Sequence, residues 1–217
     1  MTNFDFGMTA GASQNGARQN LEGNLIHEVT FDGCEARDIQ GVQDPSKTFK
    51  VLDIKFSNKQ GTFTDTVWEP KDTDYEDRQG PYGPQPSNVK AMMLKFKHLI
   101  DAVNPELAEK VDKGESKLTA SSWDGLRKLM VKATENCVGK ATKIKLIKNN
   151  KGEAIFPYFA NYDKTGKLYM STNFIGDNIF WKTKELEKIN AAKEAKPTDT
   201  ESTTAVPQST ADIDFTF

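Results

Sequence analysis

The sequence predicts a mainly β protein: about five strands rolled into a small barrel, with helices inserted between strands three and four and an unstructured segment at each end. Three observations carry that prediction. The first is the stretch Lys47–Pro70, KTFKVLDIKFSNKQGTFTDTVWEP, which reads as two strands around one turn. The second is an alternating run from Asn24 to Ile39, interrupted by Asp32-Gly33. The third is a change of period, from two to between three and four, over residues 92–137, before alternation returns at Lys140.

Each element has its own reason. Residues 1–20 are rich in Gly, Ala, Asn and Gln and have little to bury, so they predict a flexible arm with Phe4 and Phe6 as its only aromatic residues. In the first strand Leu25, His27, Val29 and Phe31 share a face, and Gly33 predicts a bulge that lets one strand bend and serve two neighbours. His27 on that face is expected to be packed and hydrogen-bonded rather than catalytic. In the hairpin, Leu52, Ile54 and Phe56 alternate with Val51, Asp53 and Lys55. Ser57–Gly61 is the turn, with Gly61 expected at positive φ, and Phe63 and Val67 complete the core face. Pro70 cannot donate to a ladder and closes the unit. Residues 69–87 read as a solvated loop; their acids lack a calcium-loop pattern.

Met92, Met93, Phe96, Leu99, Ile100 and Val103 then mark one helix face. Asn104-Pro105 caps and opens a second helix through Val111. Ser121 with Asp124 imitates a capping box for a third, whose stripe is Leu126, Met130, Ala133 and Cys137 and whose end is Gly139. Strands return from Lys140, with turns at Asn149–Gly152 and Asp163–Gly166, and Thr183–Lys193 reads as a closing helix.

The chain of 217 residues is 36% hydrophobic and 28% charged, so part of it is expected to lie outside the core. Its net charge of -2 conceals an asymmetry. Residues 21–89 carry 7 Lys/Arg against 13 Asp/Glu, residues 90–196 carry 21 against 13, and residues 197–217 carry four acids and no base. A basic stretch followed by an acidic tail suits an anionic partner and a competitor for it, although a solubilising surface has the same signature. Cys34 and Cys137 are far apart, without CxxC spacing or a nearby histidine, and read as small core residues; no metal or other cofactor is expected. No apolar run reaches the roughly twenty residues that span a bilayer, and the N-terminus lacks a signal-peptide core, so the expectation is a cytoplasmic protein without a membrane partner.

Phosphate-binding glycine loops, zinc-protease motifs and nucleophile elbows are all missing from the sequence, so no enzyme is expected. The remote catalytic reading is a magnesium nuclease with Asp53 and Asp65 facing each other across the hairpin. Binding fits better. Lysines alternate with aromatics in Phe49-Lys50, Lys55-Phe56, the Lys143, Lys145, Lys148 and Lys151 series, and Phe156, Tyr158, Phe159, Tyr162 and Tyr169. Cations follow a phosphate backbone, while aromatic faces stack unpaired bases at about 1–3 kcal/mol each.

On NLIHEVTFDGCEARDI, TFKVLDIKFSN, TFTDTVWEP, KATKIKLI and the terminal DIDFTF, the chain resembles the bacteriophage-type single-stranded DNA-binding proteins. The resemblance implies an OB-fold barrel over residues 21–196 with a helical insert at about 88–139, between a flexible arm (1–20) and a disordered acidic tail (197–217). It implies sequence-independent binding of single strands in DNA replication, recombination or repair, in the host cytoplasm if phage-encoded. The tail would recruit replication or recombination proteins and occupy the DNA groove when DNA is absent. The residues expected at the single-stranded DNA groove are Lys50, Lys55, Lys59, Trp68, Lys143, Lys145, Tyr158, Tyr169 and Trp181. Independently of the resemblance, Asp212, Asp214 and the terminal carboxylate seek a basic site, while Ile213, Phe215 and Phe217 fill a small apolar pocket. The alternative is a β-rich structural or protein-docking module without nucleic-acid binding. RNA versus DNA preference and association between copies are left open by the sequence.

Overall fold

The computed structural model describes residues 19–80, 83–157 and 160–194, as two units divided after Phe180. The predicted arm, apart from Gln19 and Asn20, and the predicted tail from residue 197 lie outside the described residues. The first unit is built around a curled, five-stranded antiparallel sheet.

The curl begins in strand β1 (Leu25–Gln40), whose first part pairs with β6 (Ala141–Lys148) and whose second part pairs with β2 (Thr48–Ser57). The handover is the bulge between Phe31 and Gly33, where Gly33 takes φ +112°. An extra residue on one strand bends and twists it, so a single 16-residue strand turns from one neighbour to the next. A β-carbon at Gly33 would also meet Val138 Cγ2 at 3.2 Å.

Strand β3 (Thr62–Trp68) completes the predicted hairpin with β2. In its turn the Asn58 side-chain oxygen accepts from the amides of Gln60 and Gly61. Gly61 is not at positive φ, contrary to the sequence expectation. Its glycine serves close approach: the Gln19 carbonyl would lie 1.9 Å from a β-carbon there, because residues 19–21 bridge in parallel to the start of β3.

The strand order is β3-β2-β1-β6-β7, with β7 only Ala154–Ile155. The sheet's two ends approach through side chains: Phe63 on β3 and Phe156 just after β7 have ring centroids 4.8 Å apart. Phe56 lies edge-on to Phe156, and Phe174 is 4.8 Å from it. Among the described residues no backbone ladder joins β3 to β7. Leu52, Ile54, Phe56, Phe63 and Val67 are all buried, as expected, but so are Val51 and Asp53 between them, so burial along β2 does not follow the predicted alternation. His27 is buried with its Nε2 2.7 Å from the Glu22 carbonyl oxygen.

Between β3 and β6 in the chain come α1 (Asn88–Val103), α2 (Pro105–Asp112) and α3 (Trp123–Thr134). Ser87, Asn104 and Ser122 cap them, each accepting from an amide three residues on. The cap of α3 is thus Ser122 rather than Ser121. A 3-10 turn over Glu135–Cys137 follows α3, and Gly139 at φ +88° ends the helical stretch. Met92, Phe96, Leu99, Ile100 and Val103 are buried, whereas Met93 is turned outward. Cys137 is buried but Cys34 only partly so, with Thr134 as its hydrogen-bond partner.

The stretch 69–87 carries more structure than a solvated loop. It holds a 3-10 turn and a small hairpin of β4 (Arg78–Gly80) and β5 (Gly83–Gln85). Asp77 anchors it, accepting from the Ser87 amide, Lys90 Nζ and the Tyr162 hydroxyl. Tyr162 belongs to a second hairpin, β8 (Ala160–Tyr162) with β9 (Leu168–Met170). In the second unit, α4 (Thr183–Glu194) begins with Glu185 accepting from the Lys182 amide. No described helix is long and apolar enough to cross a membrane.

Candidate nucleic-acid interface

Register across β1, β2 and β3 places side chains in rows. On the face away from the core these rows are Gly33–Lys55–Thr64, Glu35–Asp53–Thr66 and Arg37–Val51–Trp68, followed by the pair Ile39–Phe49. The intervening rows, Cys34–Ile54–Asp65 and Ala36–Leu52–Val67, face inward. Phe49 and Trp68 stand edge-to-face with centroids 5.9 Å apart, and they keep 37% and 40% of their surface exposed. Two large aromatics left partly in water beside each other are the candidate platform for a stacked ligand.

The inner side of the same strands is closed by α3. Trp123 Nε1 donates to the Lys50 carbonyl at 3.0 Å. Arg127, buried at 4% exposure, donates to the carbonyls of Arg37 and Val51 and to the carboxylates of Asp38 and Asp124. Hydrogen bonds from Arg127 and Lys128 pull Asp124 down to about 2. This clamp holds the Arg37–Val51 pair, the row that also carries Trp68, and so sets where the platform stands.

Cations flank the platform, each with an acidic neighbour. Arg37 Nε is 2.5 Å from Asp53 Oδ2, and that hydrogen bond raises the arginine further. Asp53, 2% exposed, also accepts from Thr66 Oγ1 at 2.7 Å. Lys55 pairs with Glu35, and both side chains remain partly accessible.

The residues expected at the groove fall in several places. Lys55 and Trp68 share the outer face. Lys50, one residue out of phase, points to the α3 side and lies 3.9 Å from Asp124. Lys59 is exposed in the hairpin turn. Lys143 is half-buried on β6 opposite Glu28. Lys145 is not at a surface: it is 1% exposed, with its ammonium donating to the Phe180 carbonyl at 3.0 Å. The reason is that residues 174–176 run antiparallel beside β6, with the Lys145 amide donating to the Phe174 carbonyl. Tyr169, 44% exposed, belongs to the β8–β9 hairpin rather than to the five-stranded sheet. Trp181 opens the second unit. Tyr158 and the tail residues Asp212, Ile213, Asp214, Phe215 and Phe217 lie outside the described residues.

Sequence reasoning left Arg37 and Glu35 out and treated Phe49 only as one of many aromatics. Parity with Val51 puts Phe49 on the outer face, but its meeting with Trp68 needs the cross-strand register. Asp53 and Asp65 occupy opposite faces of the hairpin, and each has its own cation, Arg37 and Lys95. They do not form a paired-carboxylate site. No group of three His, Cys, Asp or Glu among the described residues is arranged to hold a metal ion. No family model and no curated protein matches the chain.

Proposed function

We propose that this chain binds single-stranded DNA without sequence preference, on the outer face of β1–β2–β3, in replication, recombination or repair. The observation that carries the reading is the half-exposed Phe49–Trp68 pair, flanked by Arg37 and Lys55, on a sheet whose other face carries the core residues Leu52, Ile54 and Val67. Bases stack on such a pair, phosphates reach the cations, and neither contact reads base identity. The five-stranded curl, with Phe63 meeting Phe156 across its ends, supports an OB-type barrel. The acidic, phenylalanine-tipped tail, with Asp212, Asp214, Phe215 and Phe217, is the partner-recruiting part of this reading.

The test is fluorescence anisotropy of a labelled oligo-dT with full-length protein at low and high salt. Binding to the single strand should exceed binding to duplex and weaken as salt rises. Trp68→Ala should weaken it by about 5- to 100-fold, the worth of one stacked base. No binding by the wild-type protein at low salt would overturn the reading.

A further inference from the structure

We infer a second binding site, independent of the nucleic-acid reading, in the cleft between α2, α3 and the start of β6, and we assign it to an acidic peptide segment of a partner protein. The cleft is open to solvent and has a volume of about 900 Å³. Its floor is aliphatic, with Leu107, Leu118, Leu129 and Val138 among its lining, and Val138 is 59% exposed. Apolar surface of this kind gains from being covered.

Its rim is cationic. Lys110, Lys117, Lys132 and Lys140 line it, against Glu106 as its one carboxylate. Lys140 donates to the Val103 carbonyl at 3.1 Å, which holds its charge at the cleft wall. Lys110, Lys117 and Lys132 are exposed. Elsewhere on the insert, lysines are matched with acids: Lys97 with Asp101 and Asp112, Lys113 with Glu109, Lys128 with Asp124. The cleft therefore concentrates positive charge that the neighbouring surface neutralises.

The lining decides which anion fits. It contains no Phe, Tyr or Trp, so unpaired bases find no stacking surface there. Aliphatic side chains interleaved with carboxylates match both the floor and the rim. None of Arg37, Phe49, Lys55 and Trp68 belongs to the cleft, so both sites can be filled together.

The experiment uses full-length protein and a fluorescein-labelled hexapeptide (Asp-Leu)3, with (Ser-Leu)3, (Asp-Ser)3 and oligo-dT as comparison probes. Saturable binding of (Asp-Leu)3 is expected, about tenfold tighter than either control peptide. Lys110→Glu/Lys117→Glu/Lys132→Glu should weaken it about tenfold or more, as the sum of three ion pairs. Leu129→Ser, which keeps the rim, should also weaken it. Oligo-dT binding should change little in either variant. Absence of saturable (Asp-Leu)3 binding, or binding unaffected by the lysine substitutions, overturns the proposal. So does equal affinity for (Ser-Leu)3, which would mean a merely greasy surface. Loss of oligo-dT binding in the lysine variant would assign the cleft to nucleic acid instead. A wild type that takes the peptide but no oligo-dT would overturn only the nucleic-acid reading.

Discussion

The buried pair Lys95–Asp65 offers the sharpest test of how the helices are joined to the sheet. Lys95 on α1 is 3% exposed, and its Nζ lies 2.5 Å from Asp65 Oδ2 on β3, whose side chain is 17% exposed. Asp65 stands in the inward row with Cys34 and Ile54. Burial, with a smaller contribution from the Asp65 charge, pushes the Cys34 thiol up to about 11. Asp65→Leu leaves a buried ammonium without this carboxylate, a change that costs about 3–5 kcal/mol in buried pairs. The residual exposure of Asp65 lets water reach the site, which argues for the lower end, about 3 kcal/mol. In a domain of this size that is a fall in melting temperature of about 6–12 °C. Lys95→Met should cost less, about 1–2 kcal/mol, because the carboxylate left behind can be hydrated. The double variant Asp65→Leu/Lys95→Met removes both charges and should return to within about 1 kcal/mol of wild type, or above it. Urea unfolding followed by circular dichroism gives all four corners of the cycle. If Asp65→Leu stays within about 1 kcal/mol of wild type, or the double variant is as unstable as the two singles added, α1 is not fastened to β3 by this pair.

Two further outcomes follow from the charges on the page. Glu35 occupies Lys55 on the outer face, so Glu35→Gln should free that ammonium for phosphate and tighten oligo-dT binding about two- to fivefold; unchanged affinity would show that Lys55 does not meet DNA. Asp77 is held down to about 2, first by its hydrogen bond from Lys90 and then by Tyr162 and the Ser87 amide. A depressed carboxyl stabilises the fold above its ordinary value of 3.8 and loses that contribution as pH falls towards 2. Wild type should therefore lose more stability than Asp77→Asn between about pH 4 and 2, with the difference shrinking in high salt; parallel curves would refute the anchoring role.

Local patterns in the sequence determined most of the elements. A period of two marked β1, β2 and β3 and picked out most of their core side chains, because alternation along a strand is a property of the backbone alone, although Leu25 on that pattern is exposed and Val51 off it is buried. Gly33 marked the bend, Asn104-Pro105 the second helix and Gly139 the end of the helical stretch after α3, since each depends on conformations few residues adopt or stabilise. What only the tertiary structure decided is which residues meet. Parity puts Phe49, Val51 and Lys55 on one face, but cross-strand register decides that Trp68 joins them and that Lys50 does not. Lys145 has the spacing of a surface lysine, yet a segment thirty residues later runs beside its strand, and no local pattern carries that information. The Asp77 anchor joins residues 77, 87, 90 and 162, and the Arg127 clamp joins 37, 38, 51 and 124. Charge and alternation act between near neighbours along the chain, whereas these contacts exist only once the curl of the sheet has brought distant residues together.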